Sequence, residues 1–163
     1  MFDRFGEFDS WEEINKAAAG QKEEGDFAAL KELAVENGID VEDAQDYIDG
    51  VVDELCSASM AAIGKIHVEK KALGLTEIMA DWADYISMQA GNDPRMALAV
   101  RKKDKSLAGA IGEVLKKSWN IKAAVPKEII EAAGVSVRNA KVEMGIPGYA
   151  TVARILRDYY LGG

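Results

Sequence analysis

Two side chains are the natural candidates for nucleophilic or metal chemistry, Cys56 and His67, and each is the only residue of its type. A zinc site needs about four ligands. No H-x-x-x-H or C-x-x-C spacing occurs, so we predict no metal and no cofactor. On one helix the two residues would lie about 16 Å apart, too far for a Cys–His dyad. Because G-x-S-x-G and G-x-G-x-x-G are also absent, we predict that the protein is not an enzyme.

Acidic side chains form two rows with helical spacing. If a helix persists through Gly50, the carboxylates of the first row recur on one face at intervals of roughly 5–6 Å, which approaches the phosphate spacing of a nucleic-acid strand. One interpretation is a phosphate mimic that occupies a basic channel, and the other is a pair of ordinary solvated helix faces. The first row consists of Glu42, Asp46, Asp49 and Asp53, and the second, beside Trp82 and Tyr85, consists of Glu77, Asp81 and Asp84.

Basic side chains are concentrated later in the chain. Residues 1–60 contain 4 Lys and Arg against 17 Asp and Glu, whereas residues 61–163 contain 16 against 11, so the formal charges are −13 and +5. This asymmetry indicates a charged partner or, alternatively, two halves that attract each other within the fold. The basic candidates for nucleic-acid contact are Arg101, Lys102, Lys103, Lys105, Lys116 and Lys117, with Lys122 and Lys127.

The elements that must position these residues are predicted to be helices. Capping residues and apolar periodicity indicate an all-α, mainly helical protein with about eight or nine helices. We expect the fourth helix to run from Val51 to Lys70 with Val52 buried. In the seventh, the apolar spacing predicts that Leu115 is buried. Valines between residues 135 and 146 allow a possible short β pair.

Length and composition predict one domain, or two small subdomains that share a core. We predict an acidic N-terminal helical subdomain over residues 1–50 and a helical C-terminal region with a basic surface over residues 51–163. The sequence has no run of about 18 apolar residues, and its start lacks the features of a signal peptide. With a single cysteine, these features predict a cytoplasmic location and no membrane partner.

Two stretches resemble known proteins of bacterial mobile genetic elements. Residues 1–50, which begin Phe2-Asp3-Arg4-Phe5-Gly6-Glu7-Phe8-Asp9-Ser10 after the first Met, are similar to small proteins of plasmids and conjugative elements. Residues 97–160, with Lys105-Ser106-Leu107 and Asp158-Tyr159-Tyr160, resemble PcfK-like proteins. Some of that group are anti-CRISPR inhibitors of the type II effector nuclease. The resemblance implies a stoichiometric, protein-binding inhibitor. A nucleic-acid-binding accessory or regulatory factor of a mobile element is the alternative.

Overall fold

The computed structural model describes residues 2–134 and 141–162. Within these ranges the chain forms nine helices and one two-stranded sheet, which confirms the prediction of an all-α, mainly helical fold. The helices are α1 (Trp11–Glu24), α2 (Phe27–Glu36), α3 (Val41–Asp49), α4 (Ala58–Ala72), α5 (Glu77–Asn92), α6 (Pro94–Arg101), α7 (Leu107–Asn120), α8 (Lys127–Ala132) and α9 (Tyr149–Leu161). The strands are β1 (Ala123–Ala124) and β2 (Glu143–Met144).

Five of the described helices begin where a short polar side chain caps backbone N–H groups. The Ser10 hydroxyl accepts from the Glu13 N–H at 3.3 Å, and the Asp26 carboxylate accepts from the Ala29 N–H at 2.9 Å. Ser57 and Ser106 cap α4 and α7 in the same way. These bonds satisfy donors that have no partner inside a helix, so the sequence sets the start of these helices locally.

Two hydrophobic clusters form the interior, and α4 contributes to both. The first cluster joins α1, α2 and α3 and includes Ala61 at the beginning of α4. The second begins at Ala62 and joins the rest of α4 to α5, α6, α7 and α9. The packing therefore changes from one cluster to the other inside α4. The subdomain boundary between residues 50 and 51 stays a prediction.

A glycine pair lets the end of α2 rest directly on α4. Gly38 has a φ of +70°, and a Cβ there would lie 2.3 Å from the Gly64 carbonyl oxygen. A Cβ on Gly64 would in turn lie 2.2 Å from the Asn37 carbonyl oxygen. Only glycine at both positions permits this approach of two backbones, which brings the first three helices against α4.

Two expectations about burial are wrong, and both concern helix limits or register. Gly50 adopts a left-handed conformation and ends α3, and α4 begins only at Ala58, so Val52 lies on an exposed bend instead of in a helix. Leu115 is 60% exposed because α7 directs Leu107, Ala110 and Val114 at the core. Leu115 follows Val114 by one residue and therefore lies about 100° around the helix from it.

The short sheet differs from the predicted β pair. β1 and β2 are antiparallel, with Ala123 opposite Met144 and Ala124 opposite Glu143. Only β2 lies in the predicted range of 135–146, and its partner follows α7 directly, so the pair encloses α8. Residues 135–140 of that prediction lie outside the described residues.

Candidate functional site

An open groove of about 580 Å³ lies where α3, the bend over residues 51–57 and the beginning of α4 meet. Apolar side chains and carboxylates line it together, which is unusual for a purely solvated helix face. We call it the acidic groove, and its lining residues are Asp43, Asp46, Val52, Asp53, Glu54, Leu55, Cys56, Ser57 and Met60.

The groove exists because the chain reverses after α3 and is then fixed to α1. The Val51 N–H bonds to the Asp46 carbonyl oxygen at 2.9 Å and closes the end of α3. At the other end of the bend, the Asn15 side chain donates to the Cys56 carbonyl oxygen at 2.9 Å and accepts from the Cys56 N–H at 3.0 Å. The bend is therefore held at both ends, and Asp53 is placed beside Asp46.

The carboxylates of the acidic groove have no cationic partner among the described residues. No Lys or Arg within residues 2–134 or 141–162 forms an ion pair with them. Lys22 lies near α3, but its ammonium contacts the Tyr47 carbonyl oxygen at 2.5 Å and lies 4.3 Å from the centroid of the Tyr47 ring. The negative charge of the groove is therefore available to a partner.

The groove includes only part of the first predicted acidic row. Glu42, Asp46 and Asp49 are exposed on α3, and Asp49 accepts a hydrogen bond from the Gln45 amide at 2.9 Å. Asp53 leaves the helical row because α3 ends at Asp49, yet the bend returns it to the groove. Sequence spacing missed two lining residues, Asp43 and Glu54. Gly50 follows the last residue of α3, where glycine commonly ends a helix, and it could have indicated that the chain reverses there.

The second acidic row lies on α5, and none of its residues lines the acidic groove. Asp84 is bound by the Lys70 ammonium at 2.6 Å. Asp81 and Glu77 are exposed and make no hydrogen bond or ion pair to any residue that the structure describes. The two rows therefore belong to separate surfaces.

Arg101 is a correction to the predicted nucleic-acid set, because it is buried. Its side chain is 1% exposed, and its guanidinium donates to the Asn37 side-chain oxygen at 2.8 Å. Burial lowers the pKa of Arg101 because desolvation disfavours the charged form. Since a buried guanidinium cannot reach a phosphate, Arg101 links α6 to the end of α2 instead.

The other basic candidates are mostly bound within the protein. The Lys102 ammonium pairs with Asp9 at 3.1 Å, and the Lys105 ammonium bonds to the Tyr159 carbonyl oxygen at 2.9 Å. The Lys103 N–H also donates to Asp9, and together with Lys102 it lowers the pKa of that carboxyl.

Lys116 pairs with Glu113 at 2.5 Å, while the side chains of Lys103 and Lys117 have no partner in the described part of the chain.

A buried polar centre that the sequence did not reveal lies beneath these residues. The fully buried Lys65 ammonium donates to the carbonyl oxygens of Lys102 at 2.6 Å and Lys105 at 2.7 Å, and pairs with Glu7 at 2.6 Å. Glu69, one turn further along α4, accepts from the Leu107 N–H at 2.5 Å. Burial raises the pKa of Glu69. These charges hold the connection between α6 and α7 in place.

Neither of the two residues considered for nucleophilic or metal chemistry forms part of the buried polar centre. Cys56 is buried, and burial raises the pKa of its thiol to about 12, so at neutral pH it is not a thiolate nucleophile. His67 is exposed on α4. Among the described residues, no three His, Cys, Asp or Glu side chains converge as metal ligands.

Comparisons with protein-family models, curated proteins and solved structures found no match. In the ranges that the structure covers, every helix is too short or too polar to cross a membrane.

Proposed function

We propose that the protein is a stoichiometric inhibitor of a CRISPR effector nuclease and that the acidic groove binds the nuclease's positively charged nucleic-acid channel. One observation carries this proposal. The groove displays carboxylates without cations, while most cations of the candidate basic surface are bound to groups of the same chain. A protein with this distribution favours a basic partner over a nucleic acid.

The groove offers both charge and apolar contact. Each exposed ion pair is worth only about 0.2–1 kcal/mol, but several carboxylates that face a concentrated basic channel act together and accelerate association. Val52 and Met60 add apolar area at the base of the groove. Flexible, polarisable methionine side chains adapt well to a partner surface.

The choice of a nuclease as the partner rests on the resemblance to PcfK-like proteins. In effector nucleases of this class, a positively charged channel holds the guide–target heteroduplex through its backbone. A carboxylate array that replaces phosphates would compete for that channel. The acidic groove is the part of the described surface that suits this role.

The test is a groove variant that carries Asp46→Asn, Asp53→Asn and Glu54→Gln. Its matched control, with Glu24→Gln, Asp104→Asn and Glu128→Gln, removes the same charge from other exposed sites. We expect the groove variant to associate with a type II effector nuclease about tenfold more slowly than the parent at low salt, and this difference should shrink at high salt. The control should resemble the parent, and melting curves should show both variants folded. Equal association rates for parent, groove variant and control would refute the proposal.

One observation favours a second candidate function, the binding of single-stranded nucleic acid. The Trp119 indole is 81% exposed and lines another open groove with Lys122 and Lys141. Bases stack on such rings while lysines bind phosphates. Because Lys141 already pairs with Glu143 at 2.7 Å, we rank this function second. A gel shift of a single-stranded oligonucleotide that disappears in Trp119→Ala would favour it.

A further inference from the structure

A smaller and more enclosed pocket of about 260 Å³ lies between α5 and α9. Three aromatic side chains surround it, Trp82 and Tyr85 from α5 and Tyr149 from the beginning of α9. The rings of Tyr85 and Tyr149 meet edge to face, with centroids 5.9 Å apart and an interplanar angle of 84°. We call it the aromatic pocket, and its remaining lining residues are Ile78, Asp81, Pro147, Val152, Ala153 and Leu156.

The pocket has a firm base and an open rim. Val152 and Leu156 are buried in the second hydrophobic cluster, and Trp82 and Tyr85 pack against that cluster with part of each ring still accessible. Tyr149 is 73% exposed and forms one wall. The base is therefore fixed by the core, while the wall and the rim face solvent.

Four aromatic rings elsewhere in the described residues carry a cation. Arg4 lies over Phe5, Arg101 over Phe2, Lys22 over Tyr47 and Lys105 over Tyr159, with distances to the ring centroids of 4.3–5.6 Å. The three rings of the aromatic pocket carry no cation from any described residue. Aromatic faces are negative and attract cations within about 6 Å of their centroids, so these rings present an unused site for positive charge.

The carboxylate at the rim has no partner either. Asp81 forms no hydrogen bond or ion pair within the described ranges, whereas Asp84 on the same helix is bound by Lys70. Arg157 of α9 is directed towards Asp93, with a guanidinium–carboxylate distance of 3.9 Å. Within the described residues, the pocket thus combines aromatic rings that carry no cation with a carboxylate that has no partner.

We propose that the aromatic pocket binds an arginine side chain of the protein partner. A planar guanidinium stacks on aromatic faces and matches a carboxylate with two parallel hydrogen bonds, which a compact and strongly hydrated ammonium does less well. The pocket therefore provides a second anchor, separate from the acidic groove. The identity of the partner rests on the proposed function, but the pocket's chemistry does not.

The experiment uses small probes, so that no nuclease is needed. We expect N-acetyl-arginine amide, in the millimolar range, to shift the NMR signal of the Trp82 indole N–H and leave that of Trp119 unchanged. N-acetyl-citrulline amide has nearly the same shape without the charge, and it should bind at least about threefold more weakly. N-acetyl-lysine amide should also bind more weakly than the arginine probe.

Two variants on the same helix provide the matched comparison. Asp81→Asn should weaken binding of the arginine probe by about threefold or more, while Asp84→Asn, whose carboxylate already has a partner, should not change it. Tyr149→Ala removes an exposed wall and should also weaken binding without loss of the fold. Equal binding of the arginine and citrulline probes, of the arginine and lysine probes, or of the two aspartate variants would overturn the proposal.

The two proposals fail in different ways. If the arginine probe binds at Trp82 but no effector nuclease binds the protein, the aromatic pocket stands and the inhibitor function falls. If a nuclease binds through the acidic groove but the arginine probe leaves Trp82 unchanged, the inhibitor function stands and the pocket assignment falls.

Discussion

The acidic groove and the connection between α6 and α7 use charge in opposite ways. In the groove, carboxylates lie at the surface without cations. In the connection, Lys65 and Arg101 are buried, and Lys102 and Lys105 bind groups of the same chain. The comparison shows that a formal charge counted over a sequence does not tell where the charges lie, because Lys65 and Arg101 are inside the fold.

Helix termini explain why cations are needed in that connection. The last carbonyl groups of a helix and the first N–H groups of the next one lack partners inside their helices. Lys65 donates to carbonyl oxygens just after α6, and Glu69 accepts from the first N–H of α7. The positive group thus lies at a C-terminus and the negative group at an N-terminus, which is also the favourable order for the helix dipoles.

The largest expected effect comes from removing the buried cation. Lys65→Met removes the buried cation beside Glu7 and Glu69. It also removes the ammonium donor to two carbonyl oxygens, so we expect a loss of about 3–5 kcal/mol in the free energy of unfolding. Lys117→Met, at an exposed lysine, should change it by less than about 0.5 kcal/mol. Urea denaturation of both variants measures the difference. A small loss in both would show that the cations of this region are not structural and would remove the contrast with the groove.

A pair of leucines on α7 tests which side of this helix faces solvent. Leu107→Ala removes a fully buried side chain and should cost about 2–5 kcal/mol in unfolding free energy. Leu115→Ala, the same change at a 60% exposed position, should cost less than about 0.5 kcal/mol. Thermal or urea unfolding compares them directly. Similar losses would mean that α7 is rotated relative to the register described above.

The smallest expected effect concerns the groove itself. On α3, Asp46 lies four residues after Glu42 and three after Asp43. Like charges at these spacings destabilise a helix by about 0.2–0.5 kcal/mol per pair. Asp46→Asn should therefore raise the free energy of unfolding by a few tenths of a kcal/mol at low salt, and the gain should disappear in 1 M NaCl. A clear loss of stability would show that this carboxylate has a structural partner.

Local signals in the sequence predicted most of the helices. Ser10, Asp26 and Ser106 each cap the helix expected after them. The errors arose where the same local pattern was compatible with more than one set of helix limits. Apolar residues continue past Gly50, but the glycine's left-handed conformation ends α3, and Ser57 provides a separate start for α4.

The candidate sites were less predictable because they depend on contacts between distant residues. Periodicity placed Asp81, Trp82 and Tyr85 on one stretch of helix, yet nothing local indicated that Tyr149 would complete the pocket. Arg101 shows the reverse case, since its neighbours in the sequence suggest a basic surface and its partner Asn37 lies 64 residues away. Spacing along a helix shows which residues share a face, but it does not show what covers that face.

The stretch before α1 has a consequence for how the chain is made. Glu7 binds Lys65, and Asp9 accepts from the N–H of Lys103, 94 residues later. At a translation rate of about 5–20 residues per second, Lys103 is added about 5–20 s after Asp9. During that interval the ribosome has released Asp9 before its partner exists. Glu7 and Asp9 therefore cannot make these contacts until α4 and the connection between α6 and α7 have been synthesised.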